Sequence, residues 1–111
     1  MSKVDYIETG SGPTVMFLHG IGGRAFGFEY QLPFFAQAGF HAVAWDMPGY
    51  GQSDSLQDMT FPALADALLR LVDDLGVDTV HMVGHSIGAM VVQEFARHHQ
   101  NRLATLVLGD R

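Results

Sequence analysis

Gly84-His85-Ser86-Ile87-Gly88 places one hydroxyl between two glycines. It sits at the junction of an apolar run, 80–83, and an amphipathic stretch, 89–99. A serine hydroxyl is a weak nucleophile until its surroundings hold it exposed beside a base. The order strand, sharp turn, helix supplies the exposure, because a strained turn at that junction pushes the serine side chain outward. Glycine two residues to either side accepts the unusual backbone angles and leaves room for neighbouring chain. A helix that begins at the serine also aims N–H groups and a partial positive charge at a developing anion. The chemistry predicted is acyl transfer. The plain structural alternative is a tightly packed strand-to-helix loop.

A second segment, His19-Gly20-Ile21-Gly22-Gly23, follows another apolar run and should lie on the same edge of a sheet as the serine turn. A backbone N–H from Ile21 or Gly22, joined by that of Ile87, would make an oxyanion hole. The same stretch admits a rival reading. Gly20-Ile21-Gly22-Gly23-Arg24-Ala25 fits a dinucleotide-binding fingerprint, with Asp46 placed about twenty residues on as the ribose-binding acid. That reading predicts NAD binding lost on Asp46→Ala. Against it, the bulky stretch from Arg24 to Phe28 makes a poor start for a phosphate-binding helix, and Ser86 is left unexplained.

These segments need a scaffold. Apolar runs at 4–9, 14–18, 41–45, 79–83 and 103–108 read as strands, several of them continuous rather than alternating, as in a sheet covered on both faces. Helices are predicted over 28–38, closed by Gly39, from an N-cap at Thr60 with Pro62 in its first turn to a stop at Gly76, and over 86–99. Leu64, Leu68, Leu71 and Leu75 recur at helical spacing and form a core-facing stripe. The alternation implies an α/β fold, a mostly parallel sheet with helices on both faces, in one domain spanning 1–111. The last strand stops at the end of the chain with nothing to cover it, which predicts an exposed edge completed by oligomerisation, a homodimer or larger.

Composition limits the partners. The 111 residues carry 48% hydrophobic and 16% charged side chains, a globular balance. A net charge of −6 argues against a basic nucleic-acid face, and the absence of cysteine removes thiolate chemistry. No apolar run is long enough to span a bilayer and the first residues lack a signal-peptide core, so a cytoplasmic location is expected.

The segments His19 to Gly23, Asp46 to Asp54 and Gly84 to Gly88 together resemble the α/β-hydrolase superfamily, in that family's order and each at a strand end. The resemblance covers the N-terminal part of the family's catalytic domain and points toward its esterase, lactonase, C–C hydrolase and haloperoxidase-like branch. It implies Ser86 as nucleophile and the Ile21 and Ile87 backbone N–H groups as oxyanion hole, with no cofactor and no metal. It implies a structural role for Asp46 and for the turn from Pro48 to Gly51. The family's acid and histidine normally follow later strands, and the usual lid is absent too. Within these residues Asp110 is the candidate acid, set against a plain solvated terminal residue, and His19 the candidate base, set against a structural histidine that shapes the oxyanion loop. His85 should point away from Ser86. His98 and His99 lie roughly 18 Å along the helix, and His41 and His81 sit at strand starts on the opposite edge. The expected function is hydrolysis of small carboxylic esters or thioesters through an acyl-enzyme at Ser86. The alternatives are an inactive fragment of the fold with a structural or assembly role and, third, dinucleotide binding.

Overall fold

The computed structural model describes residues 4–20, 23–51, 53–57 and 59–109. Five strands form one sheet in the order β1-β3-β2-β4-β5. They are β1 (Tyr6–Thr9), β2 (Thr14–Leu18), β3 (His41–Trp45), β4 (Val80–His85) and β5 (Leu103–Gly109). β1 runs antiparallel to β3 and the other pairings are parallel. The helices are α1 (Gln31–Gln37), α2 (Phe61–Asp74) and α3 (Ile87–His98).

The continuous apolar runs of β2 and β3 have a direct physical cause. Successive side chains point to opposite faces, and both faces are covered. Val15, Phe17, Ala42 and Ala44 pack with Leu32 of α1 on one side. Met16, Leu18, Val43 and Trp45 pack on the other with Leu64, Leu68 and Leu71 of α2 and Val91, Val92 and Phe95 of α3. The expected two-sided architecture is therefore the observed one, and the leucine stripe of α2 is core.

Local chemistry sets the helix ends. Thr60 Oγ1 accepts a hydrogen bond from the Ala63 N–H at 3.2 Å, capping α2, and Pro occupies its first turn. The stretch expected to be helical from residue 28 divides instead. Ala25–Phe28 forms a short 3₁₀ turn, and α1 begins only at Gln31, with Pro33 in its first turn. Proline is tolerated there because the N–H it lacks would have had no helical acceptor.

β5, at one edge of the sheet, differs from the central strands. From Ala104 to Gly109 every residue is exposed, and Leu106, Val107 and Leu108 are among the exposed large hydrophobic side chains. Among the described residues no helix is long and apolar enough to cross a membrane.

Candidate active site

Ser86 follows the last residue of β4 and precedes the first of α3. Its backbone sits at φ 57 and ψ −119, and it is the only non-glycine at positive φ among the described residues. Such a conformation costs about 1–3 kcal/mol and persists only where its surroundings impose it. Here the Ser86 N–H donates to the Gly109 carbonyl at 2.8 Å, which ties the turn to the end of β5. The Ser86 carbonyl accepts from the Ala89 N–H at 2.9 Å and the Met90 N–H at 3.3 Å, starting α3. The Ile87 N–H precedes those first intrahelical bonds, as the leading donors of a helix do.

Close approach explains the flanking glycines. A methyl group on Gly84 would lie 2.7 Å from Ala89 Cα, and one on Gly88 would lie 2.4 Å from the Leu18 carbonyl oxygen. Strand end and helix start are thus pressed together and against the end of β2. One at Gly20 would lie 2.9 Å from Ser86 Cβ, so the glycine-rich loop passes directly beside the serine.

Ser86 opens onto a cleft of about 620 Å³ between α3 and the end of β5, lined also by Ile87, Ala89, Met90, Gln93, Leu108 and Gly109. Met90 and Gln93 were not singled out from sequence. Their signal is present, because residues 86, 89, 90 and 93 recur at i, i+3, i+4 and i+7 and so share one helix face.

His19, expected as a candidate base, is held otherwise. It is buried at 3% exposure. Its Nδ1 lies 2.9 Å from the Gly20 carbonyl, and its Nε2 accepts the Met47 N–H at 2.9 Å. A carbonyl requires the proton on Nδ1, and a backbone N–H requires Nε2 to be bare. Both nitrogens are committed to neutral imidazole holding two loops together, and neither remains to take a proton from Ser86. Burial holds the imidazole below its ordinary range, outweighing the Gly20 carbonyl and the nearby Asp46 carboxylate, which act the other way. The reading of His19 as a base is thus corrected, and its alternative reading, a histidine that shapes the loop, is the one these bonds support.

Asp46 is also turned inward. It is buried, and its Oδ1 accepts the Ala25 N–H at 2.7 Å. Ser53 Oγ donates to its carbonyl and accepts the Asp5 N–H at 2.7 Å. This corrects the dinucleotide reading. The acid that would bind ribose instead braces the 24–25 loop, and among the described residues the glycine-rich segment leads into a 3₁₀ turn, Ala25–Phe28, and not into an α-helix. His85 lies beside Gly20, and the other histidines lie elsewhere. His41 pairs with Glu8 and Thr14, His81 with Thr105, His98 with Glu94, and His99 stacks on Phe95. Ile21 and Asp110 lie outside the described residues. Among those described, no group of histidine and acidic side chains could hold a metal ion.

A family model described as alpha/beta hydrolase fold matches residues 13–110. The chain is 38% identical over 101 residues to epoxide hydrolase 2 of Siraitia grosvenorii, covering 88% of this chain and 32% of that protein. It superposes on the crystal structure of an epoxide hydrolase from Vigna radiata with a TM-score of 0.92 at 30% identity, covering 96% of this chain and 36% of that one. An N-acyl homoserine lactone degrading enzyme is similar at a TM-score of 0.91 and 29% identity, covering 96% and 41%. The chain thus spans well under half the length of these proteins.

Proposed function

Because this chain belongs to the α/β-hydrolase fold family, we propose that it hydrolyses small carboxylic esters or thioesters through an acyl-enzyme at Ser86. The observation that carries the proposal is the Ser86 backbone, at φ 57 on a strand-to-helix turn and facing a cleft. Strain of this kind on a nucleophilic residue is what holds a hydroxyl out for attack.

In the proposed step Ser86 Oγ bonds to the acyl carbonyl carbon and its proton passes to a base. The resulting oxyanion accepts the Ile87 N–H, backed by the positive end of α3. Collapse breaks the bond to the leaving oxygen or sulfur, which departs with a proton. Water then adds to the acyl carbonyl and releases the acid, restoring Ser86. The base is assigned to a group outside the described residues. The cleft, at about 620 Å³, is within the ordinary range for small-molecule sites.

Two of the similar proteins are named epoxide hydrolases, and this favours a second reading. The serine argues against a covalent version of it here. Attack of Oγ on an epoxide carbon forms an alkyl ether, which offers no carbonyl for water to add to, so the enzyme would stop after one event. An acyl ester keeps that carbonyl, and a lactone, the bond in the name of the third similar protein, is a cyclic ester.

The test is hydrolysis of a short-chain p-nitrophenyl ester by wild type and Ser86→Ala, followed for burst and steady turnover. Ser86→Ala is expected to lose at least about a thousandfold in kcat. A burst without turnover would mean acylation with no deacylating base. Equal rates in both proteins would sink the proposal and leave Ser86 as architecture.

A further inference from the structure

We propose that the cleft beside Gly20, lined by Arg24 and His85, binds a carboxylate carried by the acyl part of the substrate, with those two residues as its recognition groups. The inference rests on the reading of Ser86 as an acyl-transfer nucleophile and adds the substrate's charge to it. This cleft, of about 360 Å³, lies between residues 23–28 and the end of β4, and Arg24, Phe28 and His85 are among its walls.

Three observations converge on an anion. Among the described residues Arg24 has no carboxylate partner, its guanidinium resting 5.9 Å from the Phe26 ring centroid; Arg70 has none either, whereas Arg97 pairs with Glu94 and Arg102 with Asp73. The His85 side chain has no hydrogen-bond partner among them either, and His99 has only ring contacts, while His19, His41, His81 and His98 are bonded. Its half-buried ring is wedged beside the loop, with Cδ2 3.3 Å from where a Gly20 methyl would stand and Nδ1 3.7 Å from where a Gly109 methyl would. Finally, no aspartate or glutamate lines this cleft among the described residues, although Arg24 also borders a neighbouring depression that Asp5, Phe26 and Asp46 line.

The chemistry fits a carboxylate better than a neutral group. A guanidinium gives two parallel charge-assisted hydrogen bonds to a carboxylate, and imidazole keeps one N–H donor even when neutral. Phe28 and the side-chain-free Gly23 and Gly27 leave an apolar floor for the methylenes between that carboxylate and the reacting carbonyl. Gly20 is common to this cleft and to the wall beside Ser86. An acyl chain held at Arg24 therefore leads toward the nucleophile, and the leaving group faces the opposite cleft with Met90 and Leu108.

The experiment compares mono(4-nitrophenyl) adipate with 4-nitrophenyl hexanoate, which differ by the terminal carboxylate, in wild type, Arg24→Gln and Arg70→Gln. Arg70 makes the same charge change on α2, lining a pocket against β1 instead. The expected result is a fall of about tenfold in the ratio of kcat/KM values, adipate over hexanoate, in Arg24→Gln and none in Arg70→Gln. An unchanged ratio in Arg24→Gln, or an equal fall in both variants, overturns the proposal while leaving the Ser86 reading intact. A binding arm decides the matter even if no ester turns over. Adipic acid monoamide, titrated against the whole protein and followed by the His85 ring resonances, is expected to saturate, and to weaken about tenfold in Arg24→Gln. No saturation, or equal binding of uncharged hexanamide, overturns the site.

Discussion

His19 gives the fold a pH dependence of its own. With Nδ1–H donated to Gly20 and Nε2 accepting from Met47, the folded protein holds imidazole neutral and below its ordinary range. The unfolded chain takes up a proton near pH 6.5, before the folded one does. Stability from this group is therefore fully present above about pH 6.5 and lost as the pH falls through the folded value. Protonated Nε2 would present a donor to the Met47 N–H, so acid sets two donors against each other. His19→Ala is expected to destabilise the protein by about 2 kcal/mol at pH 8 through the two lost bonds and the void. It should also flatten the decline in stability between neutral and mildly acidic pH. Urea midpoints for both proteins across that range check this, and an unaltered slope in His19→Ala would mean that another group titrates.

At the scale of the elements, the decisive contact is between the start of α3 and the end of β2. Two effects compete at Gly88. Replacing a helical glycine by alanine gains up to about 1 kcal/mol in propensity. The added methyl, however, would stand 2.4 Å from the Leu18 carbonyl and 2.7 Å from that of His19. Those are backbone atoms at the end of β2 and just beyond it, not flexible side-chain tips, and overpacking of this kind costs about 1–3 kcal/mol. Gly88→Ala is therefore expected to lower the denaturation midpoint, with Ser86-dependent activity falling as α3 is pushed off its seat. A rise in the midpoint would show that the turn has slack and that Ser86 is held less tightly than its φ implies.

At the scale of the whole molecule, charge and apolar surface are distributed unevenly. The sheet is sealed by two cores over β2 and β3, whereas β5 is an edge with Leu106, Val107 and Leu108 exposed. Such an edge carries unpaired backbone donors and acceptors beside apolar side chains, a template for pairing with another strand. A second copy offers the same strand, and a two-fold axis would bring the two edges together antiparallel. We expect a dimer at micromolar concentration in sedimentation, and Val107→Lys to shift it toward monomer. A folded wild-type monomer at that concentration would remove the second copy as the occupant of this edge.

Sequence alone carried the architecture and the position of the strained serine turn. The limits of β2 and β3, the Thr60 cap and the two-sided helical cover follow from hydrophobic period and cap chemistry, which are local. Gly84 and Gly88 around Ser86 were legible for the same reason, since a strand-to-helix junction constrains only its own neighbours. The roles of His19, Asp46, Arg24 and His85 were not local. A histidine beside a glycine loop reads equally as base or brace until the Met47 N–H, 28 residues away, is seen to fill its second nitrogen. Asp46 reads as a ribose ligand until the Ala25 N–H, 21 residues back, claims it. Arg24 and His85 gain meaning only when parallel pairing of β2 with β4 sets their loops side by side. Tertiary structure decided these because hydrogen-bond capacity is finite. Which partner takes each lone pair or proton depends on the strand order that brings the partners within reach.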